Sequence, residues 1–159
     1  MIRGRPVALA DVVMSGSGVA MLVDCLLPWY GYDASGWHPS YDGFQSGFLA
    51  FFPLLIVMLI AATSATRART GTDLGTIGAT WLRWDAVFLL GDALAGLLVV
   101  LFWVTLPSLV GVSTGAKLGT FAALLVIAVQ AAGALLALVP SLGQQGEIRA
   151  RRTRRAKTA

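Results

Sequence analysis

The sequence predicts an all-α fold, a bundle of four transmembrane helices with both termini on the cytoplasmic side. Three observations predict it. Apolar residues fill 57% of the 159 positions and charged residues 13%, with a mean hydropathy of +0.75. A soluble domain of this length needs far more polar surface. The apolar residues also fall into four runs, Leu9–Leu27, Phe48–Ser64, Ala86–Leu106 and Leu118–Val139, and at ~1.5 Å rise per residue even the shortest spans about 25 Å. Finally, the basic residues gather on one side of these runs. Arg3, Arg5, Arg67, Arg69, Arg83 and the six between Arg149 and Lys157 stand against Lys117 alone. Positive charge is retained on the cytoplasmic side, which fixes the orientation as N-in and C-in.

Each run is read as a helix because backbone in hydrocarbon must satisfy its own hydrogen bonds, and no alternating pattern supports a barrel. The first run follows Arg3 and Arg5 as a secretory signal would. It is long for a signal core, carries Asp11 near its start, and has no convincing small-x-small site behind it; the expectation is a retained helix. Asp24 before Cys25 does not fit lipoprotein processing. The second run opens at Phe48 and holds Pro53 near that end. The third and fourth are joined by a short segment around Pro107 and Lys117. The predicted organisation is a four-helix transmembrane domain over residues 1–142 and a basic, disordered cytoplasmic tail over 143–159. That tail would be drawn to anionic lipid by about 1 kcal/mol per basic residue near the surface. Nucleic acid is not the expected partner, because the positive charge follows the membrane topology.

Ionisable groups inside a membrane are expensive, roughly 2.5–3.5 kcal/mol at a helix centre, and are functional candidates by default. Asp11 and Asp85 lie within a turn of the cytoplasmic boundary, near Arg5, Arg69 and Arg83, and read as interfacial ion pairs or helix N-terminal acids. Asp24 is placed one turn from the outer boundary, within reach of headgroup water. Asp92 is deeper, about 9 Å past Ala86 at ~1.5 Å per residue. Counted from the cytoplasmic ends in the same way, Ser15 of the first helix also lies about 9 Å in and Gln130 of the fourth about 13 Å in. Asp92, Gln130 and Ser15 therefore form a candidate intramembrane polar cluster. One reading is polar glue, with a protonated Asp92 hydrogen-bonded to Gln130 and Ser15. The other is a proton or cation site in a transport path. Small residues recur at helix-packing spacing in Gly16/Ala20, Gly91/Ala95, Gly115/Gly119 and Gly133/Ala137, chiefly for packing within the bundle, with any surplus left for a partner helix.

The loop from Pro28 to Phe44, between helices one and two, carries six aromatics, two carboxylates, the only histidine and no basic residue. Part of it is an aromatic belt at the outer interface, including Trp29, Tyr30 and Phe44. As a docking surface for a membrane-protein partner or a second copy, its candidates are Trp29, Tyr32, Trp37, His38 and Tyr41. A metal at Asp33, His38 and Asp42, or a sugar stacked on the rings, is a weaker reading. Leu74, Ile77 and Trp81 fall at helical spacing and suggest an amphipathic piece on the inner leaflet. The glycines at 71, 75 and 78 lack the Lys-Ser/Thr ending of a phosphate loop. The single Cys25 excludes an intrachain disulfide.

Leu9-Ala10-Asp11-Val12-Val13, Leu27-Pro28-Trp29-Tyr30, Gly47-Phe48-Leu49-Ala50-Phe51, and Gly115 to Phe121 running into Val129-Gln130-Ala131-Ala132-Gly133 together resemble a loosely defined group of small four-helix membrane proteins common in actinobacteria. The resemblance implies a topology and no activity, and it draws attention to Asp11, Trp29 and Gln130. No Ser/His/Asp set, Cys/His pair, zincin motif or nucleotide loop is present, so catalysis and cofactors are not expected. The first expectation is a non-catalytic interaction or accessory subunit of a membrane complex. A small transporter or channel component built on Asp92 and Gln130 is the alternative.

Overall fold

The computed structural model describes residues 8–33, 36, 38–71, 83–106 and 113–157, the stretch from 139 onward as backbone. Four helices dominate, α1 (Leu9–Asp24), α2 (Phe48–Thr70), α3 (Trp84–Val104) and α4 (Leu118–Lys157). Three of them, α2, α3 and the Leu118–Leu138 part of α4, are long and apolar enough to cross a membrane. The fourth, α1, has 16 residues, about 24 Å of rise. Helix α1 packs on α2 and α4, and α3 packs on the same two, so α1 and α3 lie diagonally across the bundle.

The helix ends depart from the apolar runs for identifiable reasons. Helix α1 stops at Asp24, short of Leu27, because the chain turns at Cys25–Leu27 and enters an extended segment at Pro28; a residue preceding proline is disfavoured in the helical region. Helix α2 continues past Ser64 to Thr70 and ends on Gly71, which adopts a left-handed φ of 66°, where a residue without Cβ is at ease. Helix α4 runs on through Lys157 in place of the disordered tail expected from residue 143. Gln, Glu, Ala and Arg fill much of that segment, and all are good helix formers.

The all-α expectation needs correction, because the loops at one end of the bundle form a three-stranded sheet. Its strands are β1 (Pro28–Asp33), β2 (Ser40–Asp42) and β3 (Ser113–Ala116), in the order β2-β1-β3. Both pairings are antiparallel, with Tyr30 opposite Tyr41 on one side and Ala116 on the other. Gly115 therefore lies in a strand, and its spacing from Gly119 is not a helical one.

The interior holds two apolar clusters. One, at the sheet end, centres on Met21, Trp29, Val57, Val99, Phe102 and Ile127; the other, at the opposite end, consists of Ala10, Met14, Ile60, Phe88 and Ala134. Close helix contact depends on Gly18, where an added Cβ would lie 2.3 Å from the Ala61 Cβ of α2. Gly16 and Ala20 instead face outward, with nothing within 4 Å of a Cβ built at Gly16.

Candidate functional site

The polar residues inside the bundle fall into two groups of opposite character. At the end away from the sheet, α2 turns Arg67 inward. Its guanidinium donates through Nε and Nη2 to Asp11 Oδ1 of α1, and through Nη1 to Asp85 Oδ1 of α3 at 2.7 Å. Arg83, the N-cap of α3, donates to Asp85 Oδ2 at 3.2 Å. The Arg67 side chain is 13% exposed and its guanidinium carbon lies 6.0 Å from the Phe88 ring centroid. Two guanidinium groups and two carboxylates balance to zero charge. Of the arginines that the sequence sets near Asp11 and Asp85, as ion pairs or helix N-terminal acids, Arg83 does pair with Asp85. Arg5 lies outside the described residues, and Arg67 is the residue that joins the two acids.

The second group sits between the two apolar clusters. Asp92 of α3 is 1% exposed and Gln130 of α4 is fully buried. Gln130 Nε2 donates to Met14 O of α1 at 3.2 Å and to Val57 O of α2 at 3.1 Å, so one amide ties three helices together. The Gln130 Oε1, both Asp92 carboxyl oxygens and Ser15 Oγ have no hydrogen-bond partner among the described residues. No hydrogen bond links Ser15 to either of the other two. Ser15 lies one turn from Gly18, on the face of α1 turned to α2, whereas Asp92 belongs to the diagonal helix. Asp24 is 2% exposed and so is not placed for contact with headgroup water; its carboxyl oxygens also lack partners among the described residues.

At the sheet end, Trp29 proves to be core. It is completely buried, which removes it from the docking candidates. Its indole N–H donates to Asp24 O at 3.2 Å, and its own carbonyl accepts from Lys117 N at 2.8 Å and Thr120 Oγ1 at 2.6 Å. Gly119 leaves the space for the ring, since a Cβ there would lie 2.4 Å from Trp29 Cδ1.

Tyr32 and Tyr41 are half-buried and gather with Tyr30, the Tyr30 and Tyr41 rings stacked at 4.8 Å and Tyr32 edge-on to both. Burial, helped by the neighbouring Tyr32 and Tyr41, raises the pKa of the Tyr30 phenol. Exposed His38 pairs with Asp33 at 2.8 Å. That hydrogen bond first, and Lys117 second, hold the Asp33 carboxyl below the usual range. Trp37 lies outside the described residues, as do Leu74, Ile77 and Trp81. Asp42 accepts from Gln45 N at 2.9 Å rather than joining His38. Among the described residues no group of three His, Cys, Asp or Glu side chains gathers to hold a metal. A cleft of about 250 Å³ opens between the start of α2 and the end of α3, lined by Ser46, Phe48, Leu49, Phe102, Thr105 and Leu106.

Comparisons with protein-family models, with curated proteins and with solved structures find no match.

Proposed function

We propose that this chain is a multi-pass plasma-membrane protein, crossing four times with both termini in the cytoplasm, and that it serves as a non-catalytic accessory or interaction subunit of a membrane complex. The distribution of side chains carries the membrane part of the reading. Val19, Leu59, Leu90 and Leu125, one from each helix, are all more than 60% exposed, while Asp92 and Gln130 are inside. Water would disfavour so large an apolar exterior; lipid accepts it. The basic residues near the ends of the runs support the orientation, and the cationic stretch from Arg149 suits anionic lipid.

The interaction part rests on the outward strip of Gly16 and Ala20, where a further helix can come close. Tyr32 and Tyr41 on the sheet, with His38 between strands β1 and β2, supply a second contact surface. Cysteines introduced singly at Ala20 and at Leu125, followed by oxidative cross-linking in native membranes, test it. A defined adduct at Ala20 and none at Leu125 is expected; equal yields at both sites, or none at either, overturn the reading. A cysteine in the C-terminal segment that is labelled from outside intact cells would reverse the orientation.

One observation favours a second reading, a small transporter or channel component: Asp92 is buried with both oxygens unpartnered. Against it, apolar clusters lie on both sides of Asp92. Proton or cation flux in vesicles holding the purified chain, lost in Asp92→Asn, would replace the first reading with the second.

A further inference from the structure

Hydrogen-bond accounting around Gln130 exposes a deficit. Its amide orientation is fixed, because Nε2 donates to carbonyls on two different helices, Met14 O and Val57 O. The Oε1 must then point the other way, and it is a buried acceptor without a donor. Asp92 adds two more acceptors in the same condition.

The packing places these groups at one level. A Cβ on Gly96 would touch Ile127 Cγ2 at 3.8 Å, which sets α3 against α4 one turn nearer the sheet. Running one turn away from the sheet along these antiparallel helices leads from Gly96 to Asp92 and from Ile127 to Gln130. Gly91, beside Asp92, meets Ile60 and Ile56 of α2, the stretch that includes the Val57 carbonyl bound by Gln130. On either side along their helices Asp92 and Gln130 are flanked by buried Phe88, Ala95, Ile127 and Ala134. The nearest ion pairs on α3 are those of Asp85 with Arg67 and Arg83, two turns away beyond Phe88.

Three buried oxygen acceptors at one level of the bundle, with no donor to them among the described residues, call for a cation, and their number decides which one. A dehydrated calcium or magnesium ion takes about six oxygens or more and zinc about four ligands, and three fall short of either. A single hydrogen suffices, since on one Asp92 oxygen it supplies the donor that Gln130 Oε1 lacks. We propose that Asp92 and Gln130 form a bundle-buried site for one proton, carried on the Asp92 carboxyl and hydrogen-bonded to Gln130 Oε1. The site stands whichever reading of the function holds, because it depends on packing and donor accounting alone.

Infrared difference spectroscopy on the full chain in phosphatidylethanolamine/phosphatidylglycerol vesicles at neutral pH tests it. Wild type is expected to show a carboxylic-acid C=O band that disappears in Asp92→Asn, while Asp24→Asn leaves that band in place. With carbon-13 glutamine, the Gln130 carbonyl band should shift to higher frequency in Asp92→Leu, which removes the donor. It should stay in place in Asp92→Asn, whose amide N–H replaces it. Neither measurement alters Gln130 and its two anchoring bonds. An Asp92 signal found only in the carboxylate region overturns the proposal, as does a Gln130 carbonyl indifferent to Asp92→Leu.

Discussion

The two polar groups inside the bundle use the same side chain, aspartate, in opposite ways. Asp11 and Asp85 are buried with a guanidinium fork between them, so every charge there has a counter-charge within hydrogen-bond reach. Asp92, two turns along α3 from Asp85, is buried as deeply and has no hydrogen-bonded cation among the described residues. The contrast shows that depth alone does not define an acid's role. The Arg67 group is closed: it clamps α1, α2 and α3 together and leaves few valences for a ligand. The Asp92–Gln130 group is open and lacks one hydrogen.

The largest effect should come from breaking the closed group. Arg67→Met leaves Asp11 without a cation and Asp85 with Arg83 alone, and removing one partner of a buried pair costs about 3–5 kcal/mol. The variant should unfold at much lower denaturant in a dodecyl sulfate titration. Neutralising Asp11 and Arg67 together with Asp11→Asn and Arg67→Met, which keeps the Asp85–Arg83 pair, should restore most of the loss, because the penalty is that of stranded charge. If the double variant is no better than the single one, the clamp works by packing and the comparison fails. Gln130→Leu comes next. It removes two interhelical hydrogen bonds, each worth roughly 0.6 kcal/mol and at most about 1.7 in a membrane protein. The same titration should register a loss smaller than that of Arg67→Met.

Much of the helix pattern was legible because a span needs a long apolar run, and the runs are long. What escaped was whatever depends on a partner far along the chain. Arg67 reads in the sequence as one more cytoplasmic charge. Only the continuation of α2 beyond Ser64 turns it inward, to an aspartate 56 residues away, and hydropathy cannot register one polar side chain turned inward from an otherwise exposed turn. Strand β3 lies more than eighty residues from β1, so the run Trp29-Tyr30-Gly31-Tyr32 looked like a loop with a belt of rings. Trp29 passed for an interface residue for the same reason, since the space for its ring is left by Gly119, at the start of α4. Gln130 and Asp92 were legible as polar residues in apolar surroundings. Their common level required only helix geometry, whereas the carbonyls that Gln130 binds required the fold.

Substitutions at Asp92 separate the open group from the closed one. Asp92→Leu removes the donor from Gln130 Oε1, and one lost interhelical bond should cost about 0.5–1.5 kcal/mol. Asp92→Asn preserves a donor and should stay within about 0.5 kcal/mol of wild type on the same scale. In the closed group the order reverses. Asp85→Asn should be clearly destabilising, because it leaves the guanidinium groups of Arg67 and Arg83 short of charge. Equal losses for Asp92→Asn and Asp85→Asn, measured side by side, would show Asp92 to be a charged partner of something and collapse the distinction.

The smallest effect belongs to an aspartate in water, which calibrates the other two. Asp33 is held below the ordinary carboxylate value of 3.8 first by the His38 hydrogen bond and then by Lys117. A carboxyl whose pKa is lower folded than unfolded adds stability above its ordinary pKa, and that stability is lost as pH falls through the depressed value. Both partners are more than half exposed, so solvent screens most of the pair's contribution. Followed by near-ultraviolet circular dichroism of the Tyr30, Tyr32 and Tyr41 cluster, wild type should lose a slight amount of thermal stability below about pH 4. Asp33→Asn should show no such loss in that window and should match wild type at the acid end. A larger acid-induced loss in Asp33→Asn than in wild type would place the sensitive carboxylate elsewhere.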